Sequence, residues 1–435
     1  MRISVIGCGY LGAVHAACMA ELGHDVVGVD VDERKVAELS AGRAPFFEPG
    51  LPEVLERATA SGRLRFTTDM SEAAGAQVHF VAVGTPQTAG SHAADMTYVD
   101  AAVTALLPHL ADGDLVVGKS TVPVGTAARL AERVRASSSG ADLAWNPEFL
   151  REGFAVKDTV SPDRFVYGVP AGAGGERATA LLDEVYATAL ATGTPRLVMD
   201  YATAELVKVS ANAFLATKIS FINAMAEIAE ATGADVTQLA DAIGHDARIG
   251  RKFLNAGLGF GGGCLPKDIR AFQARADELG LESLAFLADV DAVNLRRRAK
   301  VVDLTVELVG EVEGARVAVL GVAFKPDSDD VRDSPALDVA RALHDRGASV
   351  RVHDPEANET ARRVAPELDY VADVDSALRD ADVVLVLTEW KQFRQLDPAH
   401  VAELVAELRI VDARAVLDLG AWRAAGFEAR GLGRP

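Results

Sequence analysis

The 435-residue sequence predicts an α/β protein in which two doubly wound parallel-sheet units are joined by a long central helix and a further helical segment. Three observations carry that prediction. Short apolar runs bounded by turn residues alternate with helical stretches at both ends of the chain, at residues 3–6 and 26–29 and again at 316–320 and 349–353. Between Pro195 and Gly233 no glycine or proline interrupts a helical pattern of about thirty residues, a rod on the order of 45 Å at 1.5 Å per residue. The length itself exceeds what one hydrophobic core supports, so two or three domains are expected.

The first strand, residues 3–6, runs into Gly7-Cys8-Gly9-Tyr10-Leu11-Gly12 and an alanine-rich helix ending near Gly23; a second strand, 26–29, closes with Asp30. Strand, glycine turn, helix, strand and acidic residue form the dinucleotide-binding pattern of a Rossmann-like unit. Gly7 and Gly9 permit a tight turn and the close approach of a pyrophosphate seated on the positive end of the helix, while Gly12 lets the helix pack on the sheet. Asp30 is placed to accept hydrogen bonds from ribose hydroxyls, and its charge repels a 2′-phosphate, which favours NAD over NADP. Lys35 is either a second ribose contact or a solvated helix charge.

Two further strands, 77–83 and 115–118, end in the polar turns Gly84-Thr85-Pro86 and Lys119-Ser120-Thr121-Val122-Pro123. Ligands in open parallel sheets bind beyond the carboxyl ends of strands, so Thr85 and Thr121 are expected at the cofactor cleft. His79, inside an apolar strand, is expected to be a satisfied interior histidine. Glu148 and Glu152 form a surface pair if their segment is helical; if it is the loop after a strand, they face the cleft.

On the central helix Leu206, Val209 and Ala213 form an apolar stripe suited to joining domains and to a dimer surface. Lys208 and Asn212, spaced i, i+4, project from one side. The stretch Gly257-Leu258-Gly259-Phe260-Gly261-Gly262-Gly263-Cys264-Leu265-Pro266-Lys267-Asp268 places a thiol, a cation and a carboxylate behind glycines that let backbone approach a ligand. An isolated cysteine is either a small interior hydrophobe or a nucleophile. Arg296-Arg297-Arg298 reads as a solvated boundary. The second unit has strands at 316–320 and 349–353, the latter followed by Asp354, and a helix from about Ser334. Its phosphate fingerprint is missing, so NAD is not expected there in the same way. Lys325, Arg332 and Arg414 at strand-to-helix junctions point to a different phosphate-bearing ligand, and 382–387 is the last strong strand.

Composition narrows the classes. A net charge of -19 argues against nucleic acid or an anionic membrane surface as partner, because such surfaces need dense Lys and Arg. Cys8, Cys18 and Cys264 are too scattered for a disulfide framework and show no metal-binding spacing, so a reduced cytoplasmic thiol is expected and no metal. With no signal peptide before the first strand and no apolar run approaching ~18 residues, the chain is expected to be soluble and intracellular.

Together these residues resemble the UDP-glucose 6-dehydrogenase family, within the UDP-glucose/GDP-mannose dehydrogenases. The resemblance covers essentially the whole chain. Its motifs are the Gly7 turn, Phe47-Glu48-Pro49-Gly50-Leu51, Val83-Gly84-Thr85-Pro86, Ser120-Thr121-Val122-Pro123-Val124-Gly125-Thr126, Asn146-Pro147-Glu148-Phe149-Leu150-Arg151-Glu152-Gly153, residues 205–223, Arg248-Ile249-Gly250, residues 257–268 and Ala323-Phe324-Lys325. Phe46-Phe47 and Ala89-Gly90-Ser91 depart from the usual pattern at no catalytic position. The resemblance implies an NAD-binding domain over 1–198, a central helical dimerisation domain over 199–299 that carries the Cys264 loop, and a UDP-binding Rossmann-like domain over 300–435. It also implies oxidation of UDP-glucose to UDP-glucuronate with two NAD+.

That reaction removes four electrons from C6 and so calls for a thiol, which can hold the aldehyde as a thiohemiacetal and then as a thioester that water hydrolyses. By the resemblance Cys264 is the nucleophile, Lys208 the base or oxyanion stabiliser, and Asn212 a stabiliser of charge on the substrate oxygen. Glu148 handles protons or water, and Thr121 and Asp268 hold the water and orient Lys208. NAD contacts are implied for Gly7, Cys8, Gly9, Tyr10, Leu11, Gly12, Asp30, Lys35, Thr85, Thr121, Glu152, Lys267 and Arg332. Sugar and UDP contacts are implied for Glu148, Phe149, Leu150, Lys208, Asn212, Asn255, Gly257, Phe260, Gly261, Phe324, Lys325 and Arg414, the glycines wrapping the sugar with Phe260 as a wall. Arg248 resembles an arginine that reaches the diphosphate of a neighbouring subunit in a homodimer or higher homo-oligomer. The alternative is the same chemistry on GDP-mannose or a UDP-N-acetylhexosamine. The run from Phe260 to Asp268 resembles the UDP-glucose branch more than the His-Cys form of the N-acetyl branches. A non-catalytic nucleotide sensor would be expected to lack Cys264, Lys208 or Glu148, and all three are present.

Overall fold

The apolar runs become strands of two sheets. The computed structural model describes residues 1–137 and 139–435, in two units: Met1–Ala211 with Ala274–Gly280, and Asn212–Gln273 with Leu281–Pro435.

In the first unit the strands are β1 (Arg2–Ile6), β2 (Asp25–Val29), β3 (Leu64–Thr67), β4 (Val78–Val81), β5 (Leu115–Gly118), β6 (Asp142–Trp145), β7 (Phe165–Gly168) and β8 (Arg196–Met199). They lie in the order β3-β2-β1-β4-β5-β6-β7-β8, parallel throughout except at the β6–β7 pair. Both faces are covered, which is why these strands read as continuous apolar runs. Val5, Phe80 and Val117 pack into one core, and Ile6, Val81 and Val116 into the other. The order reverses between β1 and β4, the switch point at which doubly wound sheets bind ligands. His79 is fully buried between Ser4 Oγ at 2.8 Å and Asp114 at 3.4 Å, a satisfied interior residue.

In the second unit the strands are β9 (Arg316–Leu320), β10 (Ser349–His353), β11 (Asp369–Tyr370), β12 (Val383–Val386), β13 (Arg409–Asp412) and β14 (Glu428–Gly431). Their order, β11-β10-β9-β12-β13-β14, repeats that of the first six strands of the other sheet. The segment 382–387 is therefore not the last strand. β13 and β14 are four residues each, interrupted by charged residues and too short to display a period.

A single helix, Tyr201–Thr232, runs for 32 residues from one unit into the other. Val209 and Ala213 are buried but Leu206 is 40% exposed, so the predicted stripe is narrower than expected. Phe214, Phe221 and Ile228 form a second, exposed apolar row at intervals of seven. The arginine triplet also departs from expectation. It lies inside the helix Phe286–Val309, where consecutive positions turn by about 100° and cannot all face water. Arg297 and Arg298 are buried, paired with Glu230 and with Asp333, both at 2.8 Å; Arg296 stays exposed. Among the described residues no helix is long and apolar enough to cross a membrane.

Candidate active site

Each unit carries its own set of site residues. In the first, the glycine turn separates three tasks. Gly7 adopts φ +87°, and a Cβ there would lie 2.6 Å from Val83 Cγ1. At Gly12 a Cβ would lie 1.8 Å from the Gly7 carbonyl oxygen, so the helix packs where no side chain fits. Gly9 has no protein atom within 4 Å of such a Cβ. It caps the helix Tyr10–Glu21 without a side-chain acceptor, leaving open space beside Gly9 at the positive end of the helix dipole. Cys8 is buried beneath the turn and its thiol is pushed up by burial and by Asp30.

Asp30 accepts from Cys8 N at 2.7 Å, from Asp32 N at 3.0 Å and from Lys35 Nζ at 2.9 Å. Lys35 is thus an ion-pair partner of Asp30. A carboxylate offers roughly four acceptor sites, so with these donors Asp30 retains capacity for a ribose hydroxyl. The equivalent Asp354, after β10, accepts from Val322 N, Ala323 N, Trp390 Nε1, Glu356 N and Ala357 N, at 2.8 to 3.2 Å, and is saturated. The open turn and the unsaturated acid of the first unit fit a dinucleotide; the second unit offers neither.

Thr85 and Thr121 are brought together past β4 and β5, Thr85 Oγ1 donating to the Thr121 carbonyl at 2.8 Å. Residues 146–152, after β6, form a loop, so the surface-pair reading of Glu148 and Glu152 does not hold. Glu148 Oε1 accepts from Leu150 N and its Oε2 lies 3.8 Å from Lys119 Nζ. Glu48 fastens the far end of this loop, accepting from Tyr10 OH, Gly153 N and Ala155 N. Phe149 meets the Arg164 guanidinium at 3.9 Å and Lys208 Nζ at 5.4 Å from its ring centroid. One turn before Lys208, buried Glu205 accepts from Gly125 N at 2.8 Å and Ala127 N at 2.7 Å, locking the long helix to the start of the helix Thr126–Ala136.

In the second unit Asn212 Nδ2 donates to Asp268 Oδ2 at 2.6 Å, and Lys267 Nζ pairs with Asp268 Oδ1 at 2.5 Å. Cys264 is exposed and starts the helix Leu265–Glu278, its carbonyl accepting from Asp268 N at 2.9 Å. A thiolate formed there lies at the positive end of a helix.

The glycine loop is held from three sides. Gly257 N donates to Asn223 Oδ1 at 2.8 Å, and Leu258 N to the Ala413 carbonyl at 2.8 Å. Asn294 pairs with both backbone groups of Phe260, at 2.7 and 2.9 Å. Arg414 spends its donors on the carbonyls of Leu387, Gly259 and Phe324, so it braces this loop. The glycines face protein: a Cβ would meet the Ala413 carbonyl at Gly257, Asn294 at Gly259, the Asp333 carbonyl at Gly261 and the Phe324 ring at Gly262. Phe260 lies in a core with Ala213, Ala216, Ile269 and Leu287. Lys325 Nζ lies 5.3 Å from the Phe324 ring centroid, and Arg332 pairs with Asp330 at 2.7 Å. Asn255 is exposed beside Arg251, and Arg248, 90% exposed, pairs with Asp246.

Lys119, Glu48, Asn223, Asn294 and Glu205 escaped the sequence reading as site residues. Glu48, Glu205 and Asn223 fall in motifs quoted above; Asn294 carries no local signal. Among the described residues no group of three or more His, Cys, Asp or Glu side chains could hold a metal ion.

Three family models match the chain: the NAD binding domain of the UDP-glucose/GDP-mannose dehydrogenase family at residues 1–190, its central domain at 202–296 and its UDP binding domain at 318–419. A UDP-glucose 6-dehydrogenase of Rhizobium meliloti is 42% identical over 438 residues, covering 100% of both chains. The structure of a UDP-glucose dehydrogenase from Pyrobaculum islandicum is 43% identical with a TM-score of 0.90, covering 100% of this chain and 98% of that one. A UDP-D-ManNAc dehydrogenase from Pyrococcus horikoshii is 25% identical with a TM-score of 0.87, covering 100% and 99%.

Proposed function

The chain belongs to the UDP-glucose/GDP-mannose dehydrogenase family, whose members are NAD-dependent oxidoreductases, and from that premise we propose that it oxidises UDP-glucose at C6 to UDP-glucuronate, with two NAD+ reduced per turnover. The observation that carries this reading is the exposed Cys264 at a helix N-terminus, one turn from the Asn212–Asp268–Lys267 hydrogen-bonded set. NAD+ held by the Gly7 turn and Asp30 supplies the hydride acceptor.

The rest is the work of side chains. Lys208 takes the C6 hydroxyl proton, or stabilises the oxygen anion left behind, as C6 gives up its first hydride. The Cys264 thiolate adds to the resulting aldehyde, a C–S bond forming as the carbonyl electrons move to oxygen, and the Asn212 amide donates to that oxygen. Loss of the second hydride leaves a thioester. Water, oriented by Thr121 and Asp268 with Glu148 taking its proton, attacks the acyl carbon; the C–S bond breaks and the thiolate and carboxylate result. Lys325 and Arg332 contribute positive charge for the diphosphate and cofactor, and Arg414 shapes the loop that meets the sugar. A thiol with this duty requires a reducing compartment, which supports a cytoplasmic location.

The exposed Phe214, Phe221 and Ile228 row supports a homodimer, with Arg248 available to a neighbouring subunit's substrate. Light scattering should give a dimer mass that falls to the monomer in Phe221→Glu. The activity is tested by counting NADH formed per UDP-glucose consumed, with GDP-mannose and a UDP-N-acetylhexosamine in parallel. Two NADH supports the assignment. One NADH reduces the protein to a simple alcohol dehydrogenase, and turnover only with another sugar nucleotide moves the substrate.

A further inference from the structure

Lys119 has no part in the reaction as described, yet its setting is unusual for a lysine. It follows β5, and its side chain is 5% exposed. Its ammonium lies 5.6 and 5.8 Å from the ring centroids of Phe80 and Tyr186. It donates to Asn146 Oδ1 at 3.1 Å and to Tyr186 OH at 3.3 Å, while Tyr186 OH donates to the same Asn146 oxygen at 2.7 Å. Asn146 is fixed in turn by its Nδ2 bond to the Val166 carbonyl at 2.9 Å. A buried ammonium costs several kcal/mol unless an anion stands near it. Here that anion is Glu148, whose Oε2 is 3.8 Å away.

Glu148 is thereby held at both oxygens, Oε1 by Leu150 N–H and Oε2 by the Lys119 charge. We propose that Lys119 is a positioning residue for Glu148: its buried ammonium fixes the direction of the carboxylate that takes the proton of the attacking water. This rests on the role given to Glu148 above. The other groups facing the pair do not supply that charge. Tyr186 is held neutral by burial, which pushes its hydroxyl far up, and His15, on the helix Tyr10–Glu21, is held neutral by burial and by Lys119. Arg164 and Lys208 lie instead over the neighbouring Phe149 ring. Burial draws Lys119 below the ordinary lysine range, and Glu148 opposes that fall.

The decisive measurement is the step that Glu148 serves, hydrolysis of the thioester, read in rapid-mixing experiments as the NADH burst against the steady rate that follows. Lys119→Met should keep the burst and slow the steady rate roughly 10- to 100-fold, with NAD affinity within threefold, and Lys119→Arg should return the steady rate toward wild type. If Lys119→Met does not fold, Lys119→Gln keeps a donor to Asn146 without the charge and tests the same point. A steady rate within twofold of wild type in the neutral variants overturns the proposal. Loss of burst and steady rate together, with a lower thermal midpoint, makes Lys119 merely structural and also overturns it. A wild-type steady rate in Glu148→Gln would instead remove Glu148 from the mechanism, and with it the duty assigned to Lys119.

Discussion

Replacing Asn294 by alanine should separate substrate binding from cofactor binding. Asn294 is fully buried, and its amide accepts from Phe260 N at 2.7 Å and donates to Phe260 O at 2.9 Å. Alanine leaves both backbone groups without this partner. Arg298 Nη2, 3.4 Å from Phe260 O, offers partial relief to one of them. At about 1–3 kcal/mol for each buried group left unmade, the loss is about 2–4 kcal/mol after that relief. For a unit of this size the thermal midpoint of the second unit should fall on the order of 5–15 °C. The same two bonds fix the loop from Gly257 to Gly261, so the KM for UDP-glucose should rise about tenfold or more while the Kd for NAD, measured by calorimetry, stays within twofold. Asn294→Asp, which keeps the acceptor for Phe260 N but not the donor, should fall between. A variant with wild-type midpoint and wild-type KM would refute the reasoning. A parallel loss of NAD affinity would show that the damage is general.

Cys264→Ser should cut turnover of UDP-glucose by at least about a hundredfold, with NAD affinity within twofold, because a serine hydroxyl stays protonated at neutral pH and its alkoxide is a poorer leaving group than a thiolate. Steady-state NADH formation checks the first and calorimetry the second. Gly12→Ala puts a methyl 1.8 Å from the Gly7 carbonyl and should abolish measurable NAD binding while leaving the melting of the second unit in place. Burial pushes the Cys18 thiol up to about 12 and the Cys8 thiol higher still. These thiols stay protonated in the folded chain but ionise near pH 8.5 when unfolded, so their contribution to stability is intact below that pH and is lost as pH rises toward 12. The thermal midpoint of the first unit should therefore decline from about pH 9, less so in Cys18→Ala. Native alkylation at pH 8 should label Cys264 alone, as read by mass spectrometry.

The Gly7 turn, Asp30 and the long helix could be read from the sequence because each is a local signal, a spacing or an uninterrupted period, that geometry cannot easily override. The residues missed depend on partners far away in the chain. Arg297 finds Glu230 at a separation of 67 residues, and Lys119 finds Tyr186 at the same separation. A lysine at a strand end reads identically whether it is solvated or enclosed. The glycines before Cys264 were legible as a tight loop, but not what presses on them, because Asn294, Ala413 and the loop that holds Phe324 and Asp333 are three other segments. Thr85 and Thr121 come together past the ends of adjacent strands, an arrangement that strand order in a doubly wound unit leaves little room to avoid.

Asp30 and Asp354 sit at matching corners of sheets with matching strand order, yet differ in how many donors they hold. An acid at this corner has an architectural occupation before any nucleotide arrives: it ties the end of one strand to the turn that follows its neighbour. Nucleotide binding is then a matter of spare valence. Turning the second unit into a dinucleotide reader would begin with subtraction, by removing the Trp390 indole donor and reopening the turn at Val322 and Ala323, since the acid itself is already in place.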